Sequence, residues 1–161
     1  MSRLMVVSNR LPYAVERNGE DITVRQSSGG LVSAVKSYFE KQGGSGPQFD
    51  QKMWVGSVDT APEDWQEAVR RNALPPDMVI EPVFPDRETY DLYYNGFANG
   101  TIWPLFHYFP SITQFRKEHF AAYEAVNRQF AERILGLYEP GDVIWVAAST
   151  VMKRVVLLIL R

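Results

Sequence analysis

The sequence has no cysteine and only two histidines, His107 and His119. Disulfides and thiolate metal sites are therefore excluded, and the two histidines do not share ligand spacing on one recognisable element, so no metal or other cofactor is expected. A surplus of positive charge is also missing: 17 Lys and Arg face 19 Asp and Glu, for a net charge of −2. Such a chain has little with which to neutralise a phosphate backbone or an acidic bilayer surface, and neither nucleic acid nor a membrane is expected as a partner. Long apolar runs are absent as well. "LMVV" turns polar within a few residues, and "VVLLIL" near the C-terminus falls far short of the roughly 20 residues that cross a bilayer. Neither a secretory leader nor a span is expected, and the cytoplasm is the expected location. No repeat or low-complexity segment stands out, and "QGGSGPQ" reads as a loop rather than a linker.

What is present is an ordinary globular composition, with 45% hydrophobic and 22% charged residues in a chain of 161. That length suits one domain with a sizeable core. "RLMVVS" is a short β-branched run that predicts a buried first strand ending at Ser8 and Asn9, followed by a loop with Arg10 and Pro12. Asn18-Gly19 between alternating stretches predicts a surface hairpin. "SSGGLVSAVKSYFEKQGG" spaces Leu31, Val35, Tyr38 and Phe39 at helical intervals behind a glycine-rich entrance. "QKMWVGS" predicts a second strand, Pro62 to Ala73 a helix, and "DMVIEPVF" a third strand limited by Pro82. From Gln114 onward, Phe120, Tyr123, Val126, Phe130, Ile134 and Leu137 recur every three or four residues and predict a long helix. "EPGDVIWVA" predicts a turn and another buried strand. Strands alternating with helices give the fold class: α/β, a Rossmann-like, mostly parallel sheet with helices on both faces.

In such a sheet, ligands collect at the carboxyl ends of the strands. Arg10 stands just after the first, where a guanidinium can fork onto a phosphate or carboxylate, or serve as a solvated or salt-bridged surface residue. Gly29 and Gly30 open the first helix, where free N–H groups and the positive dipole end favour an anion, although a tight turn uses the same residues. Both features should share one rim, which points to an anionic ligand.

The stretch "YYNGFANGTIWPLFHYFPS", residues 93–111, sets eight aromatic rings, His107 included, among two glycines, two asparagines and two prolines. It follows neither helical nor strand spacing, which leaves an irregular piece of core or a pocket wall. Tyr94 offers a hydroxyl and Trp103 an indole N–H on apolar bodies, a combination that suits a sugar, and with the anion rim a sugar phosphate. Phe97, Leu105, Phe106 and Phe109 are expected in the core, with His107 as a satisfied core histidine.

"VVSNRLP" (6–12), "SGGLVSA" (28–34), "WVGS" (54–57), "YYNGFANGTIWPLFHY" (93–108), "YEAVNRQFA" (123–131) and "GDVIWV" (141–146) resemble, in order, successive motifs of the trehalose-6-phosphate synthases. The resemblance implies the two-Rossmann-domain architecture known as GT-B, of which residues 1–161 would be an incomplete N-terminal, acceptor-binding domain without the C-terminal donor-binding domain. It implies transfer of glucose from UDP-glucose to glucose 6-phosphate with retention and without a metal. Carried over by motif, Arg10, Tyr94 and Trp103 match positions that hold glucose 6-phosphate, with Arg10 on its phosphate. Gly29 and Gly30 match the loop against the donor diphosphate. None of these residues is a catalytic group, and the isolated chain is expected not to turn over.

Residues 147–161 depart from the pattern: where the family places histidine and aspartate after "IWV", this chain has Ala147 and Ala148. That departure leaves room for a non-catalytic sugar-phosphate-binding or regulatory module, and composition alone would also allow an aromatic-rich structural domain. The apolar tail is expected to be a buried element, or otherwise a patch that drives formation of a homo-oligomer.

Overall fold

A computed structural model describes residues 2–27, 30–40, 49–76 and 78–147. The described residues form two compact units, one of Met1–Phe84 with Glu139–Ala147 and the other built on Pro85–Tyr138.

In the first unit, β1 (Arg3–Arg10), β4 (Gln51–Ser57), β5 (Val79–Val83) and β6 (Val143–Ala147) make a parallel sheet in the order β5-β4-β1-β6. β1 is an interior strand, buried without a break from Leu4 to Asn9. Its residues alternate between faces by strand geometry. Leu4 and Val6 join Trp54, Val32 and Val35 of α1 (Gly30–Glu40), and Trp65 and Ala68 of α2 (Pro62–Arg70), in one apolar cluster. Met5, Val7 and Val55, on the alternate positions, are equally buried. That double burial explains why β1 reads as a continuous hydrophobic run.

β2 (Tyr13–Asn18) and β3 (Asp21–Gln26) form an antiparallel hairpin, with Asn18 opposite Asp21. The turn is therefore Gly19-Glu20, one residue later than the sequence suggested. Gly19 takes a φ of 66° and Glu20 does not share the sign, a type II′ pattern with glycine at the first central position. Pro82 lies within β5, opposite Gly56, because β5 is an edge strand and the missing N–H costs no ladder bond there. Among the described residues β6 is the other edge, and Val143 and Trp145 on it are exposed, which corrects the expectation of a buried strand. The Trp145 ring meets Tyr38 of α1 edge-on at 5.3 Å.

The turn into β6 is tied to the start of β1. Arg3 donates from Nε and Nη2 to the two carboxylate oxygens of Asp142, at 2.7 and 2.6 Å, and its Nη1 stands 3.0 Å from Glu139. The Asp142 side chain is only 3% exposed. The Arg3 N–H groups hold its carboxyl below the usual range, against burial, which pushes it up.

In the second unit, α3 (Arg87–Asp91), a π-helix (Leu92–Ile102) and α4 (Trp103–Phe106) follow one another directly. A 3-10 turn (Pro110–Ile112) leads to α5 (Lys117–Leu137). α5 buries Tyr123, Val126, Phe130 and Ile134, the stripe its spacing predicted. Phe97 packs against Phe120 and Tyr123 at ring distances of 5.4 and 4.7 Å. Gly96 is where the π-helix meets α5: a Cβ there would lie 2.8 Å from the His119 ring. Among the described residues, no helix is long and apolar enough to cross a membrane.

Candidate functional site

Arg10 is exposed at the carboxyl end of β1, as its last residue rather than in the following loop. The strand runs on because Arg10 still pairs with Ser57 after a register shift beyond Val7. The backbone that carries Arg10 is held by a buried polar cluster. The Trp54 indole donates to Ser8 Oγ at 2.7 Å, and Ser8 Oγ donates to the Arg10 carbonyl at 2.6 Å. Ser57 Oγ donates to the Asn9 carbonyl at 2.5 Å, and Leu11 N–H donates to the Ser57 carbonyl at 3.1 Å. Gly56 permits this closeness, since a Cβ on it would lie 2.7 Å from Leu11 N and 2.8 Å from the Arg10 carbonyl carbon. The guanidinium thus extends from a fixed root at the sheet edge where parallel α/β folds bind ligands.

The hairpin is an excursion from this point, and the chain comes back when Ser27 N–H donates to the Pro12 carbonyl at 2.8 Å. Three residues later Gly30 opens α1, so the start of an 11-residue helix returns toward the end of β1. The first turn of α1 has no acidic residue, unlike that of α2, which carries Glu63 and Asp64. Its positive dipole end is not neutralised from within, which suits an anion. Gly29 lies outside the described residues.

Tyr94 and Trp103 belong to the second unit, on one helical run. Asp86 starts that run by accepting from Thr89 N–H at 2.9 Å, a bond that also holds the Asp86 carboxyl below its usual range. Tyr93 is fully buried, its ring stacked on Tyr123 at 6.1 Å, while Tyr94 is half-buried and stacked on Tyr90 at 5.7 Å. Consecutive tyrosines thus divide between a fully buried and a half-buried position. Trp103 is 48% exposed. Its indole lies near-parallel to the His107 ring at 4.2 Å and to the Phe109 ring at 6.2 Å.

Here the sequence expectation needs correction. Leu105, Phe106 and Phe109 are exposed, not core, and His107 is exposed, with Nδ1 2.8 Å from the Trp103 carbonyl. The short α4 can turn only part of its surface inward, and Pro104 takes the buried position. Sequence reasoning also missed Ser8, Asn9, Gly56 and Ser57. Their signal was present: polar residues directly after an apolar strand, facing a Gly-Ser pair that ends the neighbouring strand.

Comparison with known proteins is consistent across sequence and structure. Glycosyltransferase family 20 matches residues 2–152. The UDP-forming alpha,alpha-trehalose-phosphate synthase of Schizosaccharomyces pombe is 41% identical over 145 residues, covering 89% of this chain and 27% of that protein. A bifunctional trehalose-6-phosphate synthase/phosphatase of Thermoproteus tenax is 37% identical, over 89% of this chain and 19% of its own length. Among solved structures, the alpha,alpha-trehalose 6-phosphate synthase of Burkholderia multivorans is 33% identical with a TM-score of 0.62, over 94% of this chain and 29% of that one. The Burkholderia xenovorans synthase solved in complex with glucose-6-phosphate is 25% identical with a TM-score of 0.63, over 92% of this chain and 28% of that one. The chain spans between about a fifth and under a third of the length of these relatives.

Proposed function

Since this chain belongs to glycosyltransferase family 20, we propose that it forms the acceptor-holding part of an enzyme that transfers glucose from UDP-glucose to glucose 6-phosphate, giving trehalose 6-phosphate. The observation that carries this reading is the extent of the family match, residues 2–152, which takes in Arg10, Gly30, Tyr94 and Trp103.

In this reading Arg10 binds the phosphate of glucose 6-phosphate, for which a forked guanidinium on an immobile backbone is well suited. Tyr94 and Trp103 face the sugar, offering apolar ring surface to its C–H groups and a polar edge to its hydroxyls. Gly29 and Gly30 let the start of α1 approach the donor diphosphate, with the helix dipole and amide groups opposing its charge. The reaction takes place in the cytoplasm.

Charge developing on the departing UDP has to be met by fixed cations or dipoles, commonly the largest contribution to this kind of catalysis. The residues assigned here supply a helix terminus for that purpose but no cation beyond Arg10, which the acceptor uses. The chain is therefore expected to bind acceptor without transferring glucose. Ala148, in place of the family's aspartate, also favours a second reading, a sugar-phosphate-binding module without catalysis.

The test is calorimetric titration of the chain with glucose 6-phosphate, beside Arg10→Ala. Saturable binding that the substitution abolishes supports the acceptor site, and absence of binding by a folded chain refutes it. A UDP-release assay is expected to show no turnover by the chain, and turnover at enzyme-like rates would refute both the binding-module reading and the expectation of inactivity.

A further inference from the structure

We infer that His107 is a positioning residue for Trp103, fixing the indole as a wall of the acceptor pocket; the inference rests on the acceptor reading above. Trp103 sits at the start of α4 with about half its surface in water. An aromatic side chain so exposed has alternative rotamers within reach, and a wall that swings cannot select a sugar.

His107 follows four residues later, on the same helix face. Its ring lies 4.2 Å from the indole at an interplanar angle of 19°. Its Nδ1 is 2.8 Å from the Trp103 carbonyl oxygen, so Nδ1–H donates there and the plane of the imidazole is set by the backbone of the residue it stacks upon. A histidine satisfied only as a helix-end donor needs no such stacking, and a ring stacked without the bond would be free to rotate. His107 has both restraints.

The chain after His107 adds a third. Tyr108 N–H donates to the Leu105 carbonyl at 3.3 Å, and Phe109 N–H to the Pro104 carbonyl at 2.8 Å. Those two bonds, with Tyr108 at a φ of 62°, make a Schellman turn whose left-handed position is filled by tyrosine rather than glycine. A bulky residue is uncommon there and carries strain. The turn returns Phe109 to within 6.2 Å of the same indole, 14° from parallel.

The experiment compares His107→Ala, His107→Phe and Trp103→Phe with the parent chain. Two readings are taken on each: glucose 6-phosphate affinity by calorimetry, and the near-ultraviolet circular dichroism of the indole, which reports whether that ring is held in one orientation. The expected result is a roughly two- to tenfold loss of affinity in His107→Ala, the size of one lost aromatic stack, together with loss of the dichroic band that Trp103→Phe also removes. His107→Phe, which keeps a ring and lacks the donor, is expected to recover only part of both, since its ring stacks without a bond to hold its plane. If His107→Ala retains the Trp103 band and the parent affinity while Trp103→Phe weakens binding, the positioning role is overturned. If Trp103→Phe binds like the parent, the acceptor reading fails instead, and the dichroism of His107→Ala alone decides whether His107 holds the indole.

Discussion

The indole N–H of Trp54 ends on the hydroxyl of Ser8, 2.7 Å away, and both side chains are shut off from solvent. Ser8→Ala removes the acceptor and leaves a buried N–H with nothing in its place, which costs about 1–3 kcal/mol. Urea unfolding followed by tryptophan fluorescence should show the loss. Because Ser8 also donates to the Arg10 carbonyl, the same variant is expected to bind glucose 6-phosphate more weakly than its stability alone explains. Parent-like unfolding and parent-like affinity would together remove this cluster from the account of the site.

Gly56→Ala places a methyl group 2.7 Å from the Leu11 nitrogen, a backbone atom that cannot rotate aside. The strand end has to spread, at a cost of about 1–3 kcal/mol, as overpacking does elsewhere. The shift falls on the backbone of Arg10, so acceptor affinity should drop in the same variant. A chain that unfolds at the parent's urea concentration would show that this approach is looser than described.

Acid should weaken the first unit through Asp142. Its carboxyl titrates below its ordinary value in the folded chain because Arg3 donates two hydrogen bonds to it. A folded value below the unfolded one means the contribution is fully present above about pH 4, the unfolded carboxylate range, and disappears as pH falls through the folded value. Thermal melting of Asp142→Asn is expected to be lower than the parent's at pH 7, and to decline less between pH 4 and pH 2.5. An equal acid response in both chains would assign the effect to other carboxylates.

Tyr108 offers the opposite sign. It is 91% exposed and holds a φ of 62°, so Tyr108→Gly surrenders little packing and relieves a left-handed conformation worth about 1–2 kcal/mol. Glycine gives back about 0.5–1 kcal/mol through the freedom of the unfolded chain. A net gain of about 0.5–1 kcal/mol is expected from urea midpoints, and a destabilised variant would mean that the tyrosine ring has a packing role.

Much of both units was legible in the sequence where the signals are local. "QKMWVGS" became β4 residue for residue, and the stripe on α5 fell where helical spacing put it. The end of β1 was harder to read, since Arg10 stays in the strand only by pairing with Ser57, and no local pattern records the partner. Residues 92–102 resisted for another reason. A π-helix repeats on neither of the spacings used to read strands and α-helices, so no periodicity tells that Tyr93 is buried and Tyr94 half-open. His107 and Phe109 were assigned to the core on residue type. Their exposure follows from the turn at Tyr108, which glycine would have announced and tyrosine conceals.

The pairing of β1 with β6 has a consequence for how the chain is made. Arg3 and Asp142 are 139 positions apart, and residues 143–147 supply the strand that closes one side of β1. On a ribosome, the first strand therefore leaves the exit tunnel well before its neighbour exists. Until residues 143–147 emerge, the polypeptide exposes one unpaired edge of an apolar strand, the kind of surface that chaperones cover and that neighbouring nascent chains can capture.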